Sequence, residues 1–114
     1  MMPLRFFKCL ADETRLRMLL LIFSEGELCV GELTKALDEI QPKISRHLSQ
    51  LRQCGLLIDR RQGQWIFYGL NPDLPDWCKK NIEQTSINNP DFLKENYRLL
   101  CQMKNRPARP GTCC

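Results

Sequence analysis

The sequence contains a single histidine, few aromatic residues (8%) and no long apolar run. Its longest uninterrupted apolar stretch, Met18 to Phe23, is far short of the roughly 20 residues needed to cross a bilayer, so a membrane-spanning helix is excluded. The opening Met1-Met2-Pro3-Leu4-Arg5 has neither the basic and apolar stretches nor the small-residue cleavage site of a secretory leader, so a cytoplasmic location is expected. With His47 alone, a metal site built on paired histidines is excluded. A length of 114 residues accommodates one core and no second full domain. The hydrophobic (43%) and charged (26%) fractions are those of an ordinary globular protein.

What the chain does hold is thiol and localised positive charge. Seven cysteines, an odd number, do not suit a disulfide framework in a reducing compartment and are available to bind a soft ion. Net charge is +4, and the stretch 41–64, with Lys43, Arg46, Arg52, Arg60 and Arg61 against Asp59, carries an excess of that same size. Such a local basic face is the footprint of a phosphate-binding surface.

Asp12 is placed to cap a helix with Leu16, Leu19, Leu20 and Phe23 on one face, ended by Gly26. A shorter helix carries Val30, Leu33, Ala36 and Leu37 and breaks near Asp38 and Glu39. A third opens at Gln41 with Pro42 in its first turn, turns Ile44, Leu48 and Leu51 to one side, and stops at Gly55. Together these form a helix-turn-helix set against an earlier helix. Leu56-Leu57-Ile58 and Trp65-Ile66-Phe67-Tyr68 then read as a β-hairpin turning at Gln62-Gly63, with Arg60, Arg61, Gln62 and Gln64 near its tip. Asp76 is expected to cap a helix bearing Trp77, Cys78 and Ile82, and a last helix carries Phe92, Leu93, Tyr97, Leu99 and Leu100. From Arg106 to Gly111 the sequence has no period and reads as an extended tail. The expected fold is mainly α with a small β-hairpin, a winged helix-turn-helix. It divides into a DNA-binding domain over 1–85 and a C-terminal helix with a flexible, cysteine-containing tail over 86–114.

With Ile44, Leu48 and Leu51 facing inward, the third helix leaves Gln41, Lys43, Ser45, Arg46, His47, Ser49 and Gln50 for other contacts. These types donate to base edges and hold phosphates. Arg60, Arg61 and Gln62 suit a wing lying on the flanking backbone or minor groove.

The stretches Glu27-Leu28-Cys29-Val30-Gly31-Glu32-Leu33, Gln41-Pro42-Lys43-Ile44-Ser45-Arg46-His47-Leu48 and Leu51-Arg52-Gln53-Cys54-Gly55-Leu56, followed by Arg60-Arg61-Gln62-Gly63, resemble the ArsR/SmtB family of metal-sensing repressors, its arsenical branch above all. The resemblance covers about residues 3 to 80. It implies a winged-helix homodimer that binds double-stranded operator DNA, represses its own resistance operon and dissociates when an inducer ion binds. It also implies a dimer interface formed by the N-terminal helix, with Leu4, Phe6, Phe7 and Leu10, and by the helices after the wing. The operator is then an imperfect inverted repeat.

The chain departs from its relatives at the inducer site. Many arsenical repressors carry Cys-Val-Cys on the second helix, where this chain has Cys29-Val30-Gly31. Zinc-sensing members place paired Asp and His ligands on a C-terminal helix, which this chain cannot supply. Trivalent arsenic and antimony suit three thiolates in a pyramid. The adjacent Cys113 and Cys114, with Cys101 as the third, are the candidate metal ligands, and Cys29 is the alternative. The chain between Cys101 and Cys113 spans at most about 40 Å, so the site closes within one subunit or across two. Cys9, Cys54 and Cys78 sit in or beside apolar patterns and read as buried thiols. As(III) or Sb(III) is the expected inducer, with no organic cofactor.

Catalysis is not expected. Cys9 and Arg15 have the spacing of a phosphatase-like loop, yet Leu10-Ala11-Asp12-Glu13-Thr14 lacks the glycine that turns backbone N–H groups toward an oxyanion. The other reading that keeps DNA binding is a thiol redox switch through Cys101, Cys113 and Cys114.

Overall fold

Asp12 begins the central helix by accepting a hydrogen bond from the Arg15 backbone N–H at 3.0 Å, and Gly26 ends it at φ +90°. In the computed structural model, which describes residues 1–107, the elements run α1 (Pro3–Leu10), α2 (Glu13–Glu25), β1 (Glu27–Cys29), α3 (Val30–Leu37), α4 (Gln41–Gln53), β2 (Leu57–Gln62), β3 (Trp65–Leu70), α5 (Asp76–Ile87) and α6 (Lys94–Cys101). Met18, Leu19, Leu20, Leu21 and Ile22 of α2 are all buried, whereas Leu16 and Phe23 are only half-buried. A helix apolar on all sides belongs in the interior. α1, α3, α4, α5, β1 and β3 all pack on α2, so the one-faced helix expected from the sequence is corrected to a core helix.

The sheet has three strands in the order β1-β3-β2, all antiparallel, where the sequence gives only a hairpin. β1 is three residues long and becomes a strand by pairing Glu27–Cys29 with Phe67–Gly69. The hairpin pairs Gln62 with Trp65, so its two-residue turn is Gly63-Gln64, with the left-handed φ of +60° at Gly63.

Two further expectations change. Pro75 is the N-cap of α5, and Asp76 is the first residue inside the helix, with no side-chain cap bond. Arg106 does not lie in an extended tail. Its side chain is 4% exposed and paired with Glu32 and Glu25, at 2.6 and 3.0 Å. Pro107 is also buried. Residues 108–111 of the expected tail lie outside the described residues.

α6 packs on α3. Leu93 and Leu100 enter the core, while Asn96, itself buried, donates to the Ala36 carbonyl at 2.9 Å and accepts from Arg17 Nη1 at 2.9 Å. Arg17 also donates to the Phe92 carbonyl and lies over its ring, 4.1 Å from the centroid. On the opposite side, Leu4 and Phe7 of α1 stay exposed (66% and 52%) beside the half-exposed Trp77 of α5. The Phe7 and Trp77 ring centroids are 6.4 Å apart. This is an apolar face on the elements that the family resemblance assigns to the dimer interface. No helix among the described residues is long and apolar enough to cross a membrane.

Candidate nucleic-acid interface

α4 forms where Pro42 fits the first turn, and it buries Ile44, Leu48 and Leu51. Its outer face presents Gln41, Ser45, Arg46, Ser49 and Gln50 to solvent. Lys43 is half-buried and paired with Glu39 at 3.0 Å. His47, expected on the outer face, is instead buried at 5% exposure. Its Nδ1 lies 3.2 Å from Gln50 Oε1 and 3.4 Å from Arg15 Nη1. Burial pushes its pKa below the ordinary imidazole value, partly opposed by Asp12 and by the Gln50 contact, so the ring is neutral. His47 therefore supports the helix from beneath and does not reach a groove.

Arg15 is the residue that sequence reasoning missed. From α2 its Nε donates to the Cys9 carbonyl at 2.7 Å and its Nη1 donates to Gln50 Oε1 at 2.9 Å. One guanidinium thus joins the end of α1 to the outer side of α4. Nothing in the local sequence announces this, because the contact to Gln50 spans 35 residues. The same bonds tie the Arg15 guanidinium to the end of α1 and to α4. The Cys9 thiol is pushed up to about 12, chiefly by burial, so it is protonated at neutral pH.

In the wing, Arg60 is drawn back toward the sheet. It is ion-paired with Glu27 of β1, donates from Nη1 to Gln62 Oε1 at 2.9 Å and lies 5.0 Å from the Phe67 ring centroid. Its side chain stays 46% exposed at the wing, and the exposed Gln62 shares its bond. Arg52 lies 3.9 Å from Asp59. Of the five cations between 41 and 64, only Arg46 and Arg61 are exposed without an ion pair among the described residues. The basic footprint of the sequence narrows to one cation on α4 and one on the wing.

Of the thiol candidates, Cys101 closes α6 and is exposed, while Cys113 and Cys114 lie outside the described residues. Cys29 is 3% exposed at the N-cap of α3. Its backbone N–H donates to Glu32 Oε1 at 3.0 Å, and burial raises its thiol above the ordinary range. The segment after α6 passes over this turn. A Cβ added at Gly31 would lie 3.7 Å from Met103 Cε and 3.9 Å from Cys29 Sγ. The chain just beyond Cys101 is thereby brought to the first turn of α3. Among the described residues there is no group of three or more His, Cys, Asp or Glu side chains placed to hold a metal.

Residues 12–59 match the model of the bacterial regulatory protein, arsR family. The chain is 54% identical over 112 residues to the arsenic resistance transcriptional regulator ArsR2 of Pseudomonas putida, covering 98% of this chain and 97% of the relative. It is 55% identical over 84 residues to the arsenical resistance operon repressor of Escherichia coli, covering 74% of this chain and 72% of the relative. The fold is also similar to the crystal structure of the AntR antimony-specific transcriptional repressor, with a TM-score of 0.61 at 28% identity over 75% of each chain. With a near end-to-end match at 54% identity and a winged helix-turn-helix that presents α4 and a β2–β3 wing, the chain belongs to the arsR family of bacterial regulatory proteins.

Proposed function

We propose that the protein is a metalloid-responsive transcriptional repressor. As a homodimer it binds inverted-repeat operator DNA through α4 and the wing, and it is released when As(III) or Sb(III) binds cysteine thiolates. The observation that carries the DNA-binding half is the surface of α4, where Gln41, Ser45, Arg46 and Ser49 are exposed and Arg46 has no competing ion pair among the described residues. An unpaired arginine flanked by small polar side chains suits a guanine edge, and Arg61 on the wing suits a phosphate. The exposed Leu4 and Phe7 of α1 beside Trp77 supply the apolar face for a two-fold partner. The arsenic and antimony named for relatives and a structural neighbour support the inducer.

Cys101, Cys113 and Cys114 are the proposed ligands, with Cys29 the alternative. Glu32 and Met103 bring the segment beyond Cys101 against the turn that holds Cys29, which supports coupling between that region and the helix-turn-helix. The second reading is a thiol redox switch through the same cysteines, of which Cys101 is exposed. Operator binding followed by fluorescence anisotropy, titrated with arsenite, antimonite, zinc and peroxide, separates the two. Wild type and a chain ending at Gly111 should both bind the operator. Arsenite or antimonite should release wild type and spare the shortened chain. Release by peroxide alone would establish the redox switch in its place.

A further inference from the structure

Two cysteines outside any site described above share one cavity. Cys9, near the end of α1, points its Sγ at the Gln50 carbonyl, 3.9 Å away, and the Cys54 backbone N–H donates to that same oxygen at 3.0 Å. The two residues thus meet at one carbonyl, and the nearby Cys54 raises the Cys9 pKa. Both line a cavity of about 550 Å³ whose other walls include the apolar Met2 and Leu4 and the cationic Arg5 and Arg15. Cys54 is the C-cap of α4, so the pair bridges the N-terminal helix to the helix that carries the candidate DNA contacts.

We propose that Cys9 and Cys54 form a dithiol site that captures a monosubstituted trivalent arsenical. Two thiols condense with R–As(OH)2 to give R–As(S-Cys)2. Two As–O and two S–H bonds break, two As–S bonds form, and the protons leave with the hydroxides as two waters. Arsenic stays trivalent throughout, so no oxidant or reductant is needed. An inorganic ion would require a third thiolate, and the cavity lining includes no third cysteine. A carbon substituent in place of that third sulfur meets the apolar Met2.

The electrostatics select the same ligand. Arg5 and Arg15 in the lining oppose a divalent cation. Burial and the neighbouring Cys54 thiol keep Cys9 protonated, and a neutral condensate needs no buried thiolate charge. The cavity thus suits a neutral arsenical and not a thiolate-bound cation. The site uses none of the proposed inducer ligands.

Phenylarsine oxide is the probe, and intact mass under reducing conditions is the readout. It is applied to a full chain in which Cys29, Cys101, Cys113 and Cys114 are serine, leaving Cys9, Cys54 and Cys78. One adduct is expected, with the mass of a phenylarsenic group less two hydrogens, and it should be lost in both Cys9→Ala and Cys54→Ala while circular dichroism stays helical. If removal of the buried Cys9 thiol unfolds the chain, the half-exposed Cys54 provides the second arm. No adduct in the parent, or an adduct surviving in the folded Cys54→Ala chain, overturns the proposal. Because mass and not operator release is read, either outcome leaves the inducer response separately testable.

Discussion

Arg106 Nε donates to Glu32 Oε2 at 2.6 Å, with the two side chains only 4% and 0% exposed. Glu32 Oε1 simultaneously accepts the Cys29 backbone N–H at 3.0 Å, and Arg106 reaches Glu25 at 3.0 Å. One guanidinium beyond α6 therefore holds the end of α2 and the first turn of α3. Removing one partner of a buried pair leaves an uncompensated charge, which typically costs about 3 kcal/mol or more.

We expect Arg106→Ala to lower the urea midpoint by an amount corresponding to about 3 kcal/mol. Arg98→Ala, which breaks the exposed pair with Glu95, should leave the midpoint where it is. Equal midpoints for Arg106→Ala and wild type would show that the C-terminal segment does not anchor α3.

His47 gives a pH dependence of definite sign. Its folded pKa lies below the ordinary 6.5, so the unfolded chain binds the proton more readily. Stability is full above the unfolded value and falls as pH drops from there through the folded value. Thermal midpoints across this window should fall more steeply with acid for wild type than for His47→Gln. Parallel curves would mean that the ring is not desolvated.

The two unpaired cations should differ in kind. Arg46→Ala is expected to weaken operator binding by about tenfold to a hundredfold, as loss of a base contact of roughly 1–3 kcal/mol implies, and to leave arsenite binding intact. Arg61→Ala should weaken all DNA sequences alike and reduce the salt slope by about 1. Arg60→Ala should change operator affinity less than either, because Arg60 is already ion-paired with Glu27. Anisotropy against specific and scrambled duplexes at several salt concentrations distinguishes these patterns.

The reading helix was legible because its signals are local: Pro42 in the first turn, Ile44, Leu48 and Leu51 on one side, and Gly55 at φ +84° after the end. The hairpin was legible for the same reason, through Gly63. β1 was not, since three residues carry no period and become a strand only against β3. Arg60 looked like a free wing cation because Glu27 lies 33 residues away. Arg60 pairs with Phe67 on β3, and its side chain reaches diagonally to Glu27, whose own partner on β3 is Gly69. Polar, proline-containing sequence around Arg106 suggested a tail, and only carboxylates 74 and 81 residues earlier make it a buried anchor. His47 was misplaced because Arg15 and Gln50 enclose it from another helix and from the next turn.

Release of operator by a metalloid requires that ion and DNA favour different states of the dimer, and such coupling is reciprocal. The direct measurement is the arsenite affinity of the reduced protein, free and saturated with operator duplex, compared with the operator affinity with and without arsenite. We expect operator to weaken arsenite binding by the same factor by which arsenite weakens operator binding. An arsenite affinity unchanged by operator would contradict metalloid-driven release.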